Sequence, residues 1–133
     1  MLALADRLRD AVQRLRGAPR AELAAALVDL QVETIAADAA LWGALFVLER
    51  QVSPLAAYRR HYDAYVALWR DALAHAADPP PAARLDGLAR MAHTICYGGL
   101  SQALLTLGPA LDFAAQRREL RAVLLAYLAA AHA

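Results

Sequence analysis

The sequence predicts an all-α fold, an antiparallel helical bundle of about six helices. Two observations predict it. Apolar residues recur every three or four positions, and no segment alternates with period two. Gly17-Ala18-Pro19, Ser53-Pro54, Asp78-Pro79-Pro80-Pro81 and Gly108-Pro109 then cut this pattern into helix-length pieces with short joints.

The first piece, Leu2 to Arg16, sets Ala5, Leu8, Val12 and Leu15 on one stripe, with Arg7, Arg9, Asp10 and Arg14 around it. The second, from about Arg20 to Asp38, carries Leu23, Leu27, Leu30, Thr34 and Ile35. Ala39 to Gln51 is apolar nearly all round, with Leu41, Trp42, Leu45, Phe46 and Leu48, which predicts a central helix covered on most sides. Ser53-Pro54 reads as a helix start, with serine capping and proline in the first helical position. The helix after it lines up Leu55, Tyr58, Tyr62, Tyr65, Val66, Trp69 and Leu73, and the triple proline stops it. A further helix, from about Ala82 to Leu107, is expected to bury Leu85, Leu88, Ala92, Ile95 and Leu104. Asp112 is placed to cap the last helix, whose stripe is Leu120, Val123, Leu124, Tyr127, Leu128 and Ala131.

A chain of 133 residues has one domain's length. Folding should bury roughly 65–70% of its extended surface, enough for a core without staples. The hydrophobic fraction is 60%, much of it alanine, a strong helix former with little to bury. Net charge is +1, and every basic side chain apart from histidine is arginine. So even a balance does not point to a nucleic-acid surface, which needs a concentrated basic face. Cys96 is the single cysteine, so no disulfide forms within the chain, and its neighbours Ile95 and Tyr97 mark it as a small buried hydrophobe. The start has no secretory signal pattern, and charged or polar residues interrupt every apolar run before the ~20 residues of a membrane span. These features predict a cytoplasmic protein without membrane contact.

Catalytic and metal motifs are missing from the sequence. None of His61, His75, His93 and His132 has metal-ligand spacing to another histidine, cysteine or carboxylate. His75 and His132 fall near helix C-termini, where a cationic ring suits the helix dipole, and His93 alone has a possible inside position. Glu33 and Asp38 are five apart on one helix and so do not share a face. Gly98-Gly99 inside a helical pattern costs about 1 kcal/mol per glycine relative to alanine. Such a pair implies either close approach of another helix, the preferred reading, or room for a ligand. No cofactor is expected.

The aromatic residues are the best functional lead. Packed core is the commoner use of such a stripe, yet several tyrosine hydroxyls turned inward would need partners. A mostly apolar pocket with a few polar groups is what a small molecule needs. The inward faces of successive helices make Trp42, Phe46, Tyr62, Tyr65, Trp69, His93 and Tyr97 the candidate ligand-binding residues. Gly98, Gly99, Ala103, Leu107, Leu120, Val123, Leu124, Tyr127 and Leu128, on the last two helices, are the candidate homodimer interface, a four-helix seam about a two-fold axis.

The order of these features resembles the C-terminal ligand-binding and dimerisation domain of the TetR family of bacterial transcriptional regulators. MLALADRLRD at the start resembles the family's connecting helix, and the Ser53-Pro54 helix with its aromatics resembles the long central one. ARMAHTICYGGL from Ala89 is similar to the helix that lines the pocket and the dimer seam, and LGPALD from Leu107 to the turn before the final helix. The resemblance implies a single ligand-binding and dimerisation domain over residues 1–133, a homodimer, and a small, largely apolar effector. It also implies DNA contact only through an N-terminal helix-turn-helix, which in the family ends just before the position of Met1 and is not in this sequence. The expected activity is sensing, not catalysis. Two other readings compete with it: a protein–protein interaction module with a dry core, and a helical enzyme or haem protein with His93 as axial ligand.

Overall fold

The computed structural model describes residues 2–131. Seven α-helices follow one another: α1 (Leu2–Arg14), α2 (Arg20–Ala37), α3 (Ala39–Gln51), α4 (Leu55–Ala74), α5 (Leu85–His93), α6 (Gly99–Leu107) and α7 (Phe113–Ala129). Residues Thr94–Gly98 join α5 to α6 as a π-helical turn with helical torsions at both ends, so the two form one rod and the bundle has six. No strand occurs among the described residues. The chain is all-α.

The bundle is built from pairs of neighbours: α4 against α5, α2 against α7, α1 across α2 and α4, and α3 against α6. Leu4, Leu8, Ala11 and Val12 give α1 its buried stripe, and Leu23, Ala24, Leu27, Val28, Gln31, Val32 and Ile35 give that of α2. On α7 the buried set is Leu120, Leu124 and Leu128, one residue per turn. The long-range tie at the foot of the bundle is polar. Gly17, at φ +87°, turns the chain between α1 and α2, and its N–H donates to the His75 carbonyl at 2.9 Å. The Arg20 N–H, free at the start of α2, donates to Asp78 Oδ1 at 2.7 Å, so this helix is capped from the far end of α4. Asp112 caps α7 as the sequence predicts, its Oδ1 accepting the Ala115 N–H at 3.0 Å. His75 ends α4 with Nδ1 3.1 Å from Asp71 Oδ1; His132 lies outside the described residues.

Three local expectations need correction. The first concerns α3, which buries only Trp42 and Phe46. Leu41 and Leu48 are about half exposed, because a bend of 100° after α2 swings this helix to the side, where α6 is its main neighbour. An apolar surface does not by itself recruit cover. The second is Ser53, which caps nothing: α4 begins at Leu55 with Pro54 in the cap position and no side-chain cap bond. The third is the rod from Leu85 to Leu107, which is not uniformly α-helical. Its buried residues fall in pairs four apart, Leu88/Ala89, Ala92/His93, Cys96/Tyr97 and Leu100/Ser101. A repeat of four outruns the 3.6-residue α-helix, and the wider π turn keeps the stripe facing the core.

Candidate functional site

A cleft of about 390 Å³ opens where the end of α3, the first half of α4 and the π turn converge. Helix α3 contributes Glu49 and Arg50, and α4 contributes Leu55, Tyr58 and Tyr62, with Ser53 between the two helices. His93, Thr94, Tyr97, Gly98 and Ser101 come from the bulged rod. The first four lie in or next to the π turn, the kind of local distortion that concentrates at functional sites, and Ser101 lies in the first turn of α6 after it.

A continuous set of rings runs from the inner wall of the cleft into the core. The His93 imidazole stacks on Tyr65 at 5.3 Å and 12°, and on Tyr97 at 5.2 Å and 22°. Tyr62 meets the same imidazole edge-on at 5.3 Å. Tyr97 continues the chain by an edge contact with Phe46 at 5.4 Å, and Phe46 leans on Trp42 at 5.7 Å. These are the offset and T-shaped arrangements that ring quadrupoles favour.

Several polar groups of the cleft are tied down. Tyr97 Oη donates to Glu49 Oε2 at 3.0 Å. Arg50 reaches across to α6 and donates to Ser101 Oγ at 3.4 Å, and that hydroxyl donates in turn to the Gly98 carbonyl at 3.2 Å. Burial lowers the His93 pKa to about 4, so the ring is neutral at pH 7. Burial first, and the Glu49 charge second, push the Tyr65 hydroxyl up to about 12, and the same two causes lead in raising Tyr97. Cys96, behind the wall, is buried with its thiol pushed up to about 12, which makes it a packing residue and not a nucleophile. Among the described residues no group of three or more His, Cys, Asp or Glu side chains could hold a metal ion. The arrangement can bind: ring faces stack, hydroxyls and a carboxylate orient.

The structure sorts the candidate residues. Tyr62, His93 and Tyr97 line the cleft, and Tyr65 stands behind them at a narrow recess shared with Glu49 and His61. Trp42, Phe46 and Trp69 do not reach the cleft; all three are core residues. Trp69 lies almost two turns beyond Tyr62 along α4, where that helix has left the cleft for the bundle interior. Reasoning from inward stripes missed Glu49, Arg50, Ser53, Leu55, Thr94 and Ser101 and did not single out Tyr58. The one available signal was the Glu49-Arg50 pair ending an otherwise apolar helix.

The interface candidates divide too. Leu120, Leu124 and Leu128 are buried within the chain, on the helix that packs against α2, and are not on its surface. Gly99 meets that helix at close range: a Cβ there would lie 2.8 Å from Leu120 Cδ2. Gly98 faces the cleft. The two glycines thus divide the two expected uses, helix approach and ligand room. Ala103 and Tyr127 are half-buried, and Leu107 and Val123 are exposed.

An all-α bundle with an aromatic cleft between its middle helices defines a class of helical binding domain. Residues 19–128 match the tetracyclin repressor-like C-terminal domain, and the chain belongs to this family. No curated protein and no solved structure matches it. The family is the ligand-binding part of TetR-type regulators and is generally non-enzymatic. Among the described residues no single helix is long and apolar enough to cross a membrane.

Proposed function

We propose that this chain is the effector-binding and dimerisation domain of a TetR-type transcriptional regulator. The cleft beside the π turn carries the reading: about 390 Å³, walled by rings, with a few fixed polar groups at its edge. The proposed effector is small and bears a flat apolar ring that stacks on Tyr62, His93 and Tyr97. Its polar groups meet Glu49, Ser53 or Ser101. The rod carrying His93 and Tyr97 packs on α4, and α4 packs on α1, the helix that resembles the family's connector. A ligand that favours one seating of the rod therefore biases the position of α1, a population shift carried through packed helices. A second copy pairs through the outer faces of α6 and α7, where Leu107 and Val123 are exposed.

Thermal denaturation against a panel of flat aromatic compounds tests the reading. A ligand at a hundred times its Kd adds about 2.7 kcal/mol to stability, which moves the midpoint by roughly ten degrees in a chain of this size. At least one compound should do so, and Tyr62→Ala should abolish the shift. A panel without effect returns the chain to the dry-core interaction reading.

A further inference from the structure

The geometry points to an organic cation as the ligand of this cleft: an ammonium group carried on or beside a flat ring, with Glu49 as its counter-charge. The inference rests on the ligand-binding reading above and specifies its chemistry. Glu49, Tyr58, Tyr62, His93 and Tyr97 line both the cleft and the recess behind it. One carboxylate among several ring faces is the arrangement that attracts an ammonium, since the faces of aromatic rings carry negative potential. Glu49 accepts one hydrogen bond, from Tyr97 Oη at 3.0 Å. A carboxylate has about four lone-pair sites, so the bond orients the group without exhausting it.

Among the described residues Glu49 forms no ion pair. His93, stacked between Tyr65 and Tyr97, is held neutral by burial, with its pKa lowered to about 4. The Glu49 charge is felt at both Tyr65 and Tyr97, whose hydroxyls it makes harder to ionise. His61 borders the recess from its exposed side. Among the described residues Arg50 is the one arginine lining the cleft; the residue is exposed, and its guanidinium donates to Ser101 on α6. Glu49 and Arg50 are successive residues of α3, about 100° apart around the helix, and they reach successive turns of the rod, Glu49 to Tyr97 and Arg50 to Ser101. Solvent screens the exposed charge more than the half-buried one.

Phenyltrimethylammonium and its neutral isostere tert-butylbenzene differ only in the charged atom, and isothermal titration of the purified chain with each decides the matter. Benzoate is the anionic arm. The expected result is phenyltrimethylammonium binding roughly tenfold or more tighter than tert-butylbenzene. Glu49→Gln should erase the difference, weakening the cation far more than tert-butylbenzene, and Tyr58→Leu should weaken the cation more than its neutral isostere. Circular dichroism verifies that both variants fold. Equal affinities, a cation preference that survives Glu49→Gln, or tightest binding by benzoate would each overturn the inference. If tert-butylbenzene binds and Tyr62→Ala removes it without any preference for charge, the ligand site stands and the cation falls. If none of the three binds, both fall.

Discussion

His93 sits in an environment that forces its ring to stay neutral. Its ring is stacked between Tyr65 and Tyr97, with Tyr62 at its edge and Glu49 beyond Tyr97. Its folded pKa of about 4 lies below the ordinary 6.5, so the unfolded chain takes up the proton first as pH falls. Stability is therefore full above about pH 6.5, declines between 6.5 and 4, and levels off below. The loss from this group is on the order of 2–3 kcal/mol. Urea midpoints at pH 7.5 and 4.5 measure it, and His93→Phe should flatten that part of the dependence. A loss as steep in the variant would assign it to other groups. Tyr97→Phe should cost about 1–2 kcal/mol, since it strands a half-buried carboxylate without its donor; chemical denaturation at pH 7.5 reads this directly.

The rod from α5 through the π turn to α6 shows how one segment serves packing and binding together. Its buried pairs recur every four residues, and the bulge that accommodates them brings Thr94, Tyr97 and Gly98 to the cleft. The adjacent glycines give opposite expectations for one substitution. At Gly99 an added Cβ would come 2.8 Å from the buried Leu120, so Gly99→Ala should destabilise by about 1–3 kcal/mol through overpacking. At Gly98 the nearest atom is Thr94 Cγ2 at 3.9 Å, so Gly98→Ala should stabilise by up to about 1 kcal/mol through helix propensity. Thermal melts of the two variants settle both signs. Gly98→Ala should also weaken ligand binding, because its methyl enters the cleft.

Assembly depends on which faces the fold leaves bare. Leu124 is completely buried and belongs to the chain's own core, so Leu124→Ala should cost about 2–5 kcal/mol of stability. Leu107 and Val123 are each more than half exposed. The double variant Leu107→Glu, Val123→Glu should keep the helical spectrum and convert a dimer to a monomer, as two charges enter an apolar seam. Light scattering at micromolar concentration gives both masses. A dimer that survives the double variant would move the seam elsewhere. The apolar side of α3, with Leu41, Leu48 and Val52 exposed, is then the face to probe.

The helices themselves were legible because their causes are local. Spacing of three and four, alanine content, Asp112 at a cap and prolines at the joints all act within a few residues. The same holds for the burial of Cys96, between apolar neighbours on a helical stripe, and for the stop of α4 before its prolines. The cleft was legible in part: Tyr62, His93 and Tyr97 follow from their stripes, while Trp42, Phe46 and Trp69 share those stripes and fall in the core. Periodicity marks the inner side of a helix but not what stands opposite it. The cover that α3 lacks, the side of α7 taken by α2, and the meeting of Glu49 with Tyr97 from 48 residues away depend on how separate helices pack. Those choices are made by partners distant along the chain, so they arise only when the bundle closes.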